Sequence, residues 1–317
     1  MAYLVSSLSV VIPVYRGEDT LPELTTRLAQ ALPQLSPIYE VVLVNDCSPD
    51  NSWQVIQNLS QQYTWLVGIN LKRNYGQHNA TLCGVRTARY EVIVTMDDDL
   101  QHPPEEIHKL LEKLLEGNEV VYGLPKKLPH SWWRNTMSRL TKRLLALLMG
   151  ISRIRDLSAF RAFYSHLRDA FVDFRNPNVI LDVLLSWGTN RFATTYVNEA
   201  PREKGESNYN FRKLVSVTMV VLTGFSTAPL RFASTLGFLS TLFGFAVFVY
   251  VIGITIFVGS IPGFPFLASI VAIFSGIQLF ALGLIGEYLA RVFDRSIDRP
   301  PYVISNITKN ELDSPPQ

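Results

Sequence analysis

The sequence contains few cysteines and carries only a small net charge. Its 317 residues include only two cysteines, Cys47 and Cys83, which excludes a fold held together by several disulfides. No secretory signal is recognisable, so we expect the large N-terminal part to lie in the reducing cytosol. The net charge is only +2. The chain as a whole is therefore not a polyanion binder, and we expect no nucleic-acid partner.

Charged residues are missing altogether from one long stretch. No Asp, Glu, Lys or Arg occurs from Phe232 to Gly286, a run of about 55 residues, whereas one membrane-spanning helix needs about 20. The sequence therefore predicts a hairpin of two transmembrane helices, at 233–258 and 266–289. The alternative is a helical hairpin buried in a soluble protein.

Basic residues flank the two predicted helices at the ends opposite to the short turn that joins them. By the positive-inside rule, both large polar parts then face the cytosol, including a C-terminal tail at 290–317. The tail is polar and contains prolines, so we expect it to be loosely ordered from about Ser305.

Two common nucleotide-binding motifs do not occur either. The chain contains neither a GxGxxG segment nor a GxxxxGK[ST] segment. This argues against the usual dinucleotide-binding fold and against a P-loop enzyme. If the protein binds a phosphate ester, a metal ion and cationic side chains must replace the missing glycine-rich loop.

Hydrophobic periodicity predicts an α/β fold for the N-terminal part, which we assign to residues 1–208. Strands that alternate with helices of moderate length indicate right-handed crossovers and a mostly parallel sheet covered on both faces. The predicted strands lie near 8–15, 40–44, 66–71, 90–96 and 119–123.

Polar side chains follow the predicted strands at the points where these strands end. In open α/β sheets, ligands bind beyond the carboxyl ends of the strands, so we expect these side chains to share one crevice. They are Tyr15, Glu18, Asp46, Arg73, Asn74, Asp97 and Asp99.

Three adjacent carboxylates, Asp97, Asp98 and Asp99, end the fourth predicted strand. Side chains alternate along an extended chain, so Asp97 and Asp99 point to one side and Asp98 to the other. Two carboxylates at this spacing suit Mg²⁺ or Mn²⁺, which keep several waters and take further ligands from substrate phosphates. The alternative is a solvated acidic turn that caps the next helix, although a cap needs one acid rather than three.

Basic amphipathic segments separate the α/β domain from the apolar stretch. At about 131–149, paired tryptophans and several leucines share a helical pattern with arginines. This predicts a helix in the membrane interface, with an ordinary surface helix as the alternative. A second amphipathic helix is predicted at 209–232. Arg134, Arg139 and Arg202 are candidates to offset the charge of a lipid phosphate.

These features predict a cytosolic domain that joins a water-soluble, phosphate-bearing donor to a lipid acceptor. A bound metal would neutralise a diphosphate leaving group. A phosphate acceptor is already anionic at neutral pH, so positioning supplies most of the catalysis and no strong base is needed. Asp156 and Arg161 could take part in catalysis or form a buried structural ion pair.

Six longer motifs carry a family resemblance that covers nearly the whole chain. They are SVVIPVYRGE, VNDCSPDNS, LKRNYGQHNA, MDDDLQHPPEE, REKGESNY and GLIGEYLARVFDRSIDRPPY. They resemble family-2 glycosyltransferases of the polyprenyl-phosphate type, the group of dolichyl-phosphate mannose synthases and bactoprenol glucosyltransferases. The two-span C-terminal hairpin is part of this resemblance.

The resemblance implies a GT-A fold and an inverting, metal-dependent transfer of one sugar. The implied donor is a nucleotide diphosphate sugar, UDP-linked by preference. The implied acceptor is undecaprenyl or another polyprenyl monophosphate at the cytosolic face of the inner membrane. The product would serve modification of lipid A or a cell-surface glycan. Mg²⁺ or Mn²⁺ is the implied cofactor, and a homotetramer is common in the group.

Residue roles follow from the resemblance as well. Pro13, Tyr15 and Glu18 would line the nucleotide pocket, and Asp46 would contact the base. Asn45 replaces the first acid of the usual Asp-Asp pair, which leaves base recognition to Asp46.

The three acids match the DXD segment of the group. Asp97 and Asp99 would bind the metal and the diphosphate, with Asp98 beside them in the donor site. Asp99, Gln101 and Asp156 are the candidate catalytic residues, and Gln101 would lie near the donor sugar.

The segment at 202–209 matches the one that approaches the acceptor phosphate in the group. Arg202 and Ser207 would contact that phosphate, together with Arg134 and Arg139. Asn208 replaces the lysine that usually follows GES, which removes one expected cation.

Two other functions remain open from the sequence. A processive polysaccharide synthase also joins such a domain to membrane helices, but it would carry a QxxRW motif and more spans. A non-catalytic membrane scaffold that recruits a flippase is the other alternative. The intact acids at 46, 97 and 99 argue against the scaffold.

Overall fold

The computed structural model describes six stretches of the chain: 3–126, 158–176, 179–198, 228–258, 263–296 and 300–308. The chain divides into two compact units. One comprises Met1–Asn208 and Asp298–Gln317, and the other comprises Tyr209–Ile297. The predicted interfacial helix at 131–149 and most of the predicted helix at 209–232 lie outside the described residues.

Strands and helices alternate through the first unit. In the described residues the strands are β1 (Ser7–Val14), β2 (Ile38–Asn45), β3 (Leu66–Leu71), β4 (Val92–Thr95), β5 (Val120–Pro125), β6 (Arg161–Tyr164), β7 (Phe192–Val197) and β8 (Ile304–Ile307). The helices there are α1 (Leu21–Leu35), α2 (Ser52–Gln62), α3 (Gln77–Thr87), α4 (Ile107–Leu115) and α5 (Leu181–Gly188), with 3₁₀ turns at Pro104–Glu106 and Ser165–Phe171.

All these strands join one mixed sheet in the order β7-β5-β6-β4-β1-β2-β3-β8. The four central strands, from β4 to β3, run parallel as predicted. However, β6 is antiparallel to both β4 and β5, and β8 is antiparallel to β3. Because β7 is parallel to β5, six of the eight described strands run in one direction. The prediction of a mostly parallel sheet is therefore confirmed for the described residues, with β6 and β8 as the antiparallel strands.

Helices on both faces bury the central strands, which explains their nearly continuous β-branched sequences. Val10 of β1 belongs to the core on the α1 side, and Val11 belongs to the core on the α3 side. A side chain added at Gly84 would lie 2.3 Å from Val11 Cγ1. Glycine at this position lets α3 pack directly on the sheet, which fixes its first residue at the sheet's carboxyl edge.

The final strand, β8, completes the sheet along the edge of β3. The Lys72 N–H donates to Val303 O at 2.9 Å, and Thr308 N–H donates to Gly68 O at 2.9 Å. The Gly68 N–H in turn donates to Thr308 Oγ1 at 2.8 Å. The expectation of loose order from about Ser305 is therefore wrong for residues 305–308, because an open sheet edge captures them.

The second unit contains, in its described residues, the long helices α6 (Ala228–Val258) and α7 (Phe264–Ser296). They pack against each other, and the Phe274 ring approaches Gly244 so closely that a side chain there would lie 3.1 Å from it. The two helices occupy the positions predicted at 233–258 and 266–289. No helix in the described parts of the chain is both long enough and apolar enough to cross a membrane. The predicted transmembrane character is therefore not supported.

Replacing Thr308 with valine should loosen the edge between β3 and β8. Valine keeps the shape of threonine but leaves the Gly68 N–H without its acceptor, at a cost of about 1–3 kcal/mol. We expect faster hydrogen exchange of the amides at 66–71, measured by mass spectrometry on the full chain. Thr308→Ser keeps the hydroxyl and should exchange like the wild type. Unchanged exchange in the valine variant would contradict this contact.

Candidate active site

Four loops at the carboxyl ends of the central strands enclose a cavity of about 260 Å³. The loops follow β1, β2, β3 and β4, so the structure brings together residues that are far apart in the sequence. The cavity is lined by Pro13, Val14, Tyr15, Asp46, Asn74, Gly76, Gln77, Asp97, Asp98 and Asp99. Six of the seven residues predicted for the donor and metal site line this cavity, and Glu18 does not. The six are Pro13, Tyr15, Asp46, Asp97, Asp98 and Asp99.

Each of these loops contains a residue in the left-handed backbone region. The φ angles are 60° at Arg16, 52° at Cys47, 91° at Gly76 and 61° at Leu100. A side chain at Gly76 would meet no atom within 4 Å, so its backbone angle, and not the available space, favours glycine. Left-handed non-glycine residues are strained by about 1–3 kcal/mol and cluster at functional sites.

Asp46 fixes the loop that follows β3. Its Oδ1 accepts the Tyr75 N–H and its Oδ2 accepts the Gly76 N–H, both at 2.7 Å. The side chain is buried, and desolvation raises the pKa of Asp46 although the two N–H groups oppose this rise. The base contact that the resemblance implies for Asp46 stays a prediction, while the structure gives the carboxylate a positioning role.

The three adjacent acids contact three different neighbours. The Gln77 side-chain amide donates to Asp97 Oδ1 at 2.6 Å. The Tyr15 N–H donates to Asp98 Oδ2, and the Gln101 N–H donates to Asp99 Oδ1, each at 3.2 Å. The acids therefore connect the strand end to α3, to the loop after β1 and to the turn that follows.

Asp98 carries a strongly perturbed carboxyl group. Burial raises the pKa of Asp98 to about 7, and the charges of Asp97 and Asp99 add to this rise against the Tyr15 N–H. A side chain at Gly17 would come within 2.7 Å of Asp98 Oδ2. Glycine at 17 thus allows the close approach that ties Asp98 to the loop after β1.

A divalent cation fits this donor set. Asp97 and Asp99 offer hard oxygen ligands, and a cation would relieve the repulsion that contributes to the raised pKa of Asp98. The described residues contain no cluster of three or more His, Cys, Asp or Glu side chains arranged to hold a metal ion. The protein would therefore supply two carboxylates and leave the other positions to water and substrate phosphates, as is usual for Mg²⁺.

Of the remaining predicted site residues, the structure describes only Glu18 and Gln101. Glu18 Oε2 accepts the Asn51 N–H at 2.9 Å, which joins the loops after β1 and β2. Gln101 is half-buried beside Asp99. The others lie outside the described residues, namely Asp156, Arg134, Arg139, Arg202 and Ser207.

A second cavity, also of about 260 Å³, shares Pro13, Gln77 and Asp97 with the first. Its wall includes the buried charged residues Arg161 and Asp182. The remaining lining residues are His78, Thr81, Thr95, Met96, Ser158 and Ala159. Asp97 and Gln77 therefore lie where the two cavities meet.

Arg161 and Asp182 form a buried ion pair. The Tyr122 hydroxyl donates to Asp182 Oδ1 at 2.9 Å, and Arg161 Nε donates to Thr95 Oγ1 at 3.0 Å. Burial opposes the charge on Arg161, but Asp182, Tyr122 and Asp97 together outweigh it and raise the pKa of Arg161.

Sequence reasoning identified neither Gln77 nor Asp182 as a site residue. The ion pair between Asp156 and Arg161 that it left open is not tested, because Asp156 lies outside the described residues. Among the described residues Arg161 pairs with Asp182. A lone acid within the apolar run 179–185 was the available signal for Asp182. The only sequence signal for Gln77 was its position directly after Gly76, a glycine in a loop.

Replacing Asp46 with asparagine should release the loop after β3. The amide would turn an N–H₂ group toward one of the two loop N–H donors, and losing a hydrogen bond to a charged group costs about 1.5–3 kcal/mol. Lys72 and Arg73 are exposed, so limited trypsin digestion should cut there faster. Asn74→Ala removes only the longer 3.1 Å bond to the Gly76 N–H and should have a smaller effect. Equal digestion of Asp46→Asn and wild type would refute the positioning role.

Comparisons with known proteins agree with the sequence resemblance. Residues 9–173 match the family described as glycosyl transferase family 2. The undecaprenyl-phosphate 4-deoxy-4-formamido-L-arabinose transferase of Proteus mirabilis is 34% identical, over 96% of this chain and 94% of the relative. The same-named protein of Aeromonas hydrophila is 34% identical over 95% of this chain and 94% of the relative.

Among solved structures, glucosyl-3-phosphoglycerate synthase of Mycobacterium tuberculosis in complex with Mn²⁺ and UDP-glucose has a TM-score of 0.49. It is 16% identical, and the match covers 69% of this chain and 77% of that one. The family match and the α/β mixed sheet agree with a GT-A-like fold. The chain belongs to glycosyl transferase family 2 and is a glycosyltransferase.

Proposed function

We propose that this glycosyltransferase moves a single sugar from a nucleotide diphosphate sugar to a polyprenyl monophosphate. The names of two relatives, each 34% identical over nearly the whole chain, support undecaprenyl phosphate as the acceptor. They support 4-deoxy-4-formamido-L-arabinose as the sugar in the same way. We infer a UDP-linked donor from the family resemblance. The lipid-linked sugar would then serve modification of lipid A or another envelope glycan.

The observation that carries this proposal is the pair of cavities that share Asp97 and Gln77. A nucleotide diphosphate sugar has two bulky ends joined by a charged diphosphate. In our proposal the nucleotide occupies the first cavity and the sugar occupies the second. The diphosphate then lies between them, beside Asp97 and Asp99.

The proposed reaction is one displacement with inversion at the anomeric carbon. An acceptor phosphate oxygen forms the new bond to that carbon while the bond from the carbon to the diphosphate oxygen breaks. The electron pair of the broken bond leaves with the nucleoside diphosphate. Because the acceptor is already anionic, no side chain has to remove a proton from it, and catalysis depends on positioning.

The chain's own residues would supply this positioning. Asp97 and Asp99 would hold a Mg²⁺ or Mn²⁺ ion, whose chemistry when bound is to neutralise the leaving diphosphate. Gln77 orients Asp97, and Asp46 holds the wall of the first cavity. The roles of Gln101 and Asp156 in catalysis stay predictions, as do the acceptor contacts of Arg134, Arg139, Arg202 and Ser207 and the homotetramer.

Contact with a lipid bilayer is supported by the surface of the second unit. Several large apolar side chains on α6 and α7 are more than half exposed, including Phe238, Phe243, Leu279 and Phe293. Exposed apolar surface of this extent marks a membrane or protein interface. We propose that this unit attaches the enzyme to the inner membrane, with the catalytic domain in the cytosol.

The proposed activity predicts loss of turnover when the acids are neutralised. Full-length protein in detergent, given UDP-sugar, undecaprenyl phosphate and Mn²⁺, should form a labelled lipid, and chelation by EDTA should stop it. We expect Asp97→Asn and Asp99→Asn to lower kcat by at least about 10²-fold, the usual cost of losing one electrostatic contact to a developing charge. Glu23→Gln, at an exposed carboxylate on α1, is the control. If wild-type protein forms no lipid product, the proposal is refuted. If that inactive protein still assembles in membranes, the result would favour a non-catalytic membrane scaffold.

Membrane attachment predicts that the full chain sediments with the membrane fraction after expression. Alkaline carbonate separates the two modes of attachment, because it strips proteins held by charge and leaves those held by apolar burial. We expect the chain to stay in the pellet and to enter solution only with detergent. Replacing Phe238 and Phe243 with serine should reduce the pelleted fraction, whereas the same change at Leu115, exposed on α4, should not. Release by carbonate alone would contradict apolar attachment.

A further inference from the structure

Three polar side chains form a buried network beside the second cavity. The side chain of Arg161 is 4% exposed and that of its ion-pair partner Asp182 is 9% exposed. The Tyr122 hydroxyl completes the network through Asp182. A buried ion pair adds little stability relative to well-packed apolar residues of similar size. The network therefore needs an explanation other than stability.

The sheet register connects this network to the acids. Arg161 lies opposite Thr95 in the β4–β6 pairing and opposite Tyr122 in the β5–β6 pairing. Its Nε donates to Thr95 Oγ1 at 3.0 Å, and that hydroxyl donates to Ala159 O at 2.7 Å. Thr95 is the last residue of β4, two positions before Asp97. The network thus holds the strand end from which the acids project.

Charge connects Arg161 and Asp97 as well. Both line the second cavity, and the Asp97 carboxylate is one of the groups that favour the charged form of Arg161. The charge of the guanidinium therefore acts on Asp97, while the Gln77 amide donates a hydrogen bond to the same carboxylate from α3. Both influences meet at Asp97, where the two cavities join.

We propose that Arg161, held by Asp182 and Tyr122, is a positioning residue that fixes the Asp97 carboxylate between the two cavities. The inference rests on the proposed function, because it assigns to Asp97 the diphosphate end of the donor. Arg161 acts through the end of β4 and not on the reacting atoms. It sets how well Asp97 binds a divalent cation together with a nucleoside diphosphate.

A second buried carboxylate in the same sheet provides a matched control. Glu40 Oε2 accepts Arg89 Nε at 2.8 Å, and the Glu40 side chain is 2% exposed. Ser9 Oγ and the Arg89 N–H also donate to Glu40. None of these residues lines either cavity. A pair with only a structural role should therefore behave like Arg89 and Glu40.

The test compares two sets of substitutions in the full-length protein. The first, Tyr122→Phe with Arg161→Met and Asp182→Leu, replaces the whole network by apolar side chains. Such replacements of buried ionic groups are often neutral or stabilising. The second, Glu40→Gln with Arg89→Met, removes the control pair. Mn²⁺ affinity is measured by calorimetry in the presence of UDP, and melting is followed by circular dichroism.

We expect the apolar triple variant to stay folded and to bind Mn²⁺ about 10–100-fold more weakly, the usual loss when a residue that orients a metal ligand is removed. Its kcat for sugar transfer should fall more than its KM for the donor rises. The control variant should change the melting temperature and leave Mn²⁺ affinity unaltered. A folded triple variant with wild-type Mn²⁺ affinity would overturn the proposal.

If the triple variant does not fold, Arg161→Lys decides the question. One ammonium group cannot reproduce the planar fork that reaches Thr95 and Asp182 together. Weaker Mn²⁺ binding in this folded variant supports the proposal, and unaltered binding overturns it. Both outcomes are measured as Mn²⁺ affinity, which requires neither the donor sugar nor the lipid acceptor. Failure of the proposed function is a separate result, in which wild-type protein binds Mn²⁺ and UDP but transfers no sugar.

Discussion

Repulsion among three adjacent carboxylates is the constraint on which the site depends. Like charges this close in a half-buried edge need a donor or a cation for each one. The chain meets this need by drawing donors from different segments: Gln77 for Asp97, the Tyr15 backbone for Asp98 and the Gln101 backbone for Asp99. The same bonds that make the charges tolerable therefore also hold the surrounding loops.

A rigid platform lies beneath these loops. The central strands are buried on both faces, and α3 packs on them through Gly84 without an intervening side chain. The loops above carry the left-handed residues and the buried Asp46, so strain and desolvation are concentrated at one edge of the sheet. Such a division, with a well-packed scaffold and a strained edge, is how folds keep binding groups in place before a ligand arrives.

The sequence predicts the centre of this fold well and its flanks poorly. The strand at Leu66–Leu71 has the predicted bounds, because a continuous apolar run is framed by clear turn residues. The short strands β6 and β8 have no such signal, since each has four residues and depends on pairing with a neighbour that is distant in sequence. The two long helices were expected, but their transmembrane character lacks structural support.

The candidate site, like the fold, could be predicted only in part from the sequence. Adjacent acids are visible in any linear reading, so Asp97, Asp98 and Asp99 were expected at the cavity. The positioning groups around them come from other elements. Gln77 begins a helix, and Asp182 lies 21 residues from Arg161 within an apolar run. Such partners become apparent only when the sheet order brings β4, β5 and β6 side by side.

The bond between Gly68 and Thr308 joins residues 240 positions apart, which constrains how the protein is made. During translation β3 leaves the ribosome well before β8, and its edge stays unpaired until β8 has been synthesised. Open strand edges invite wrong pairing and aggregation. The first unit is therefore completed only after both long helices have been synthesised, so a nascent chain that stalls before β8 leaves the ribosome with an unfinished, aggregation-prone sheet.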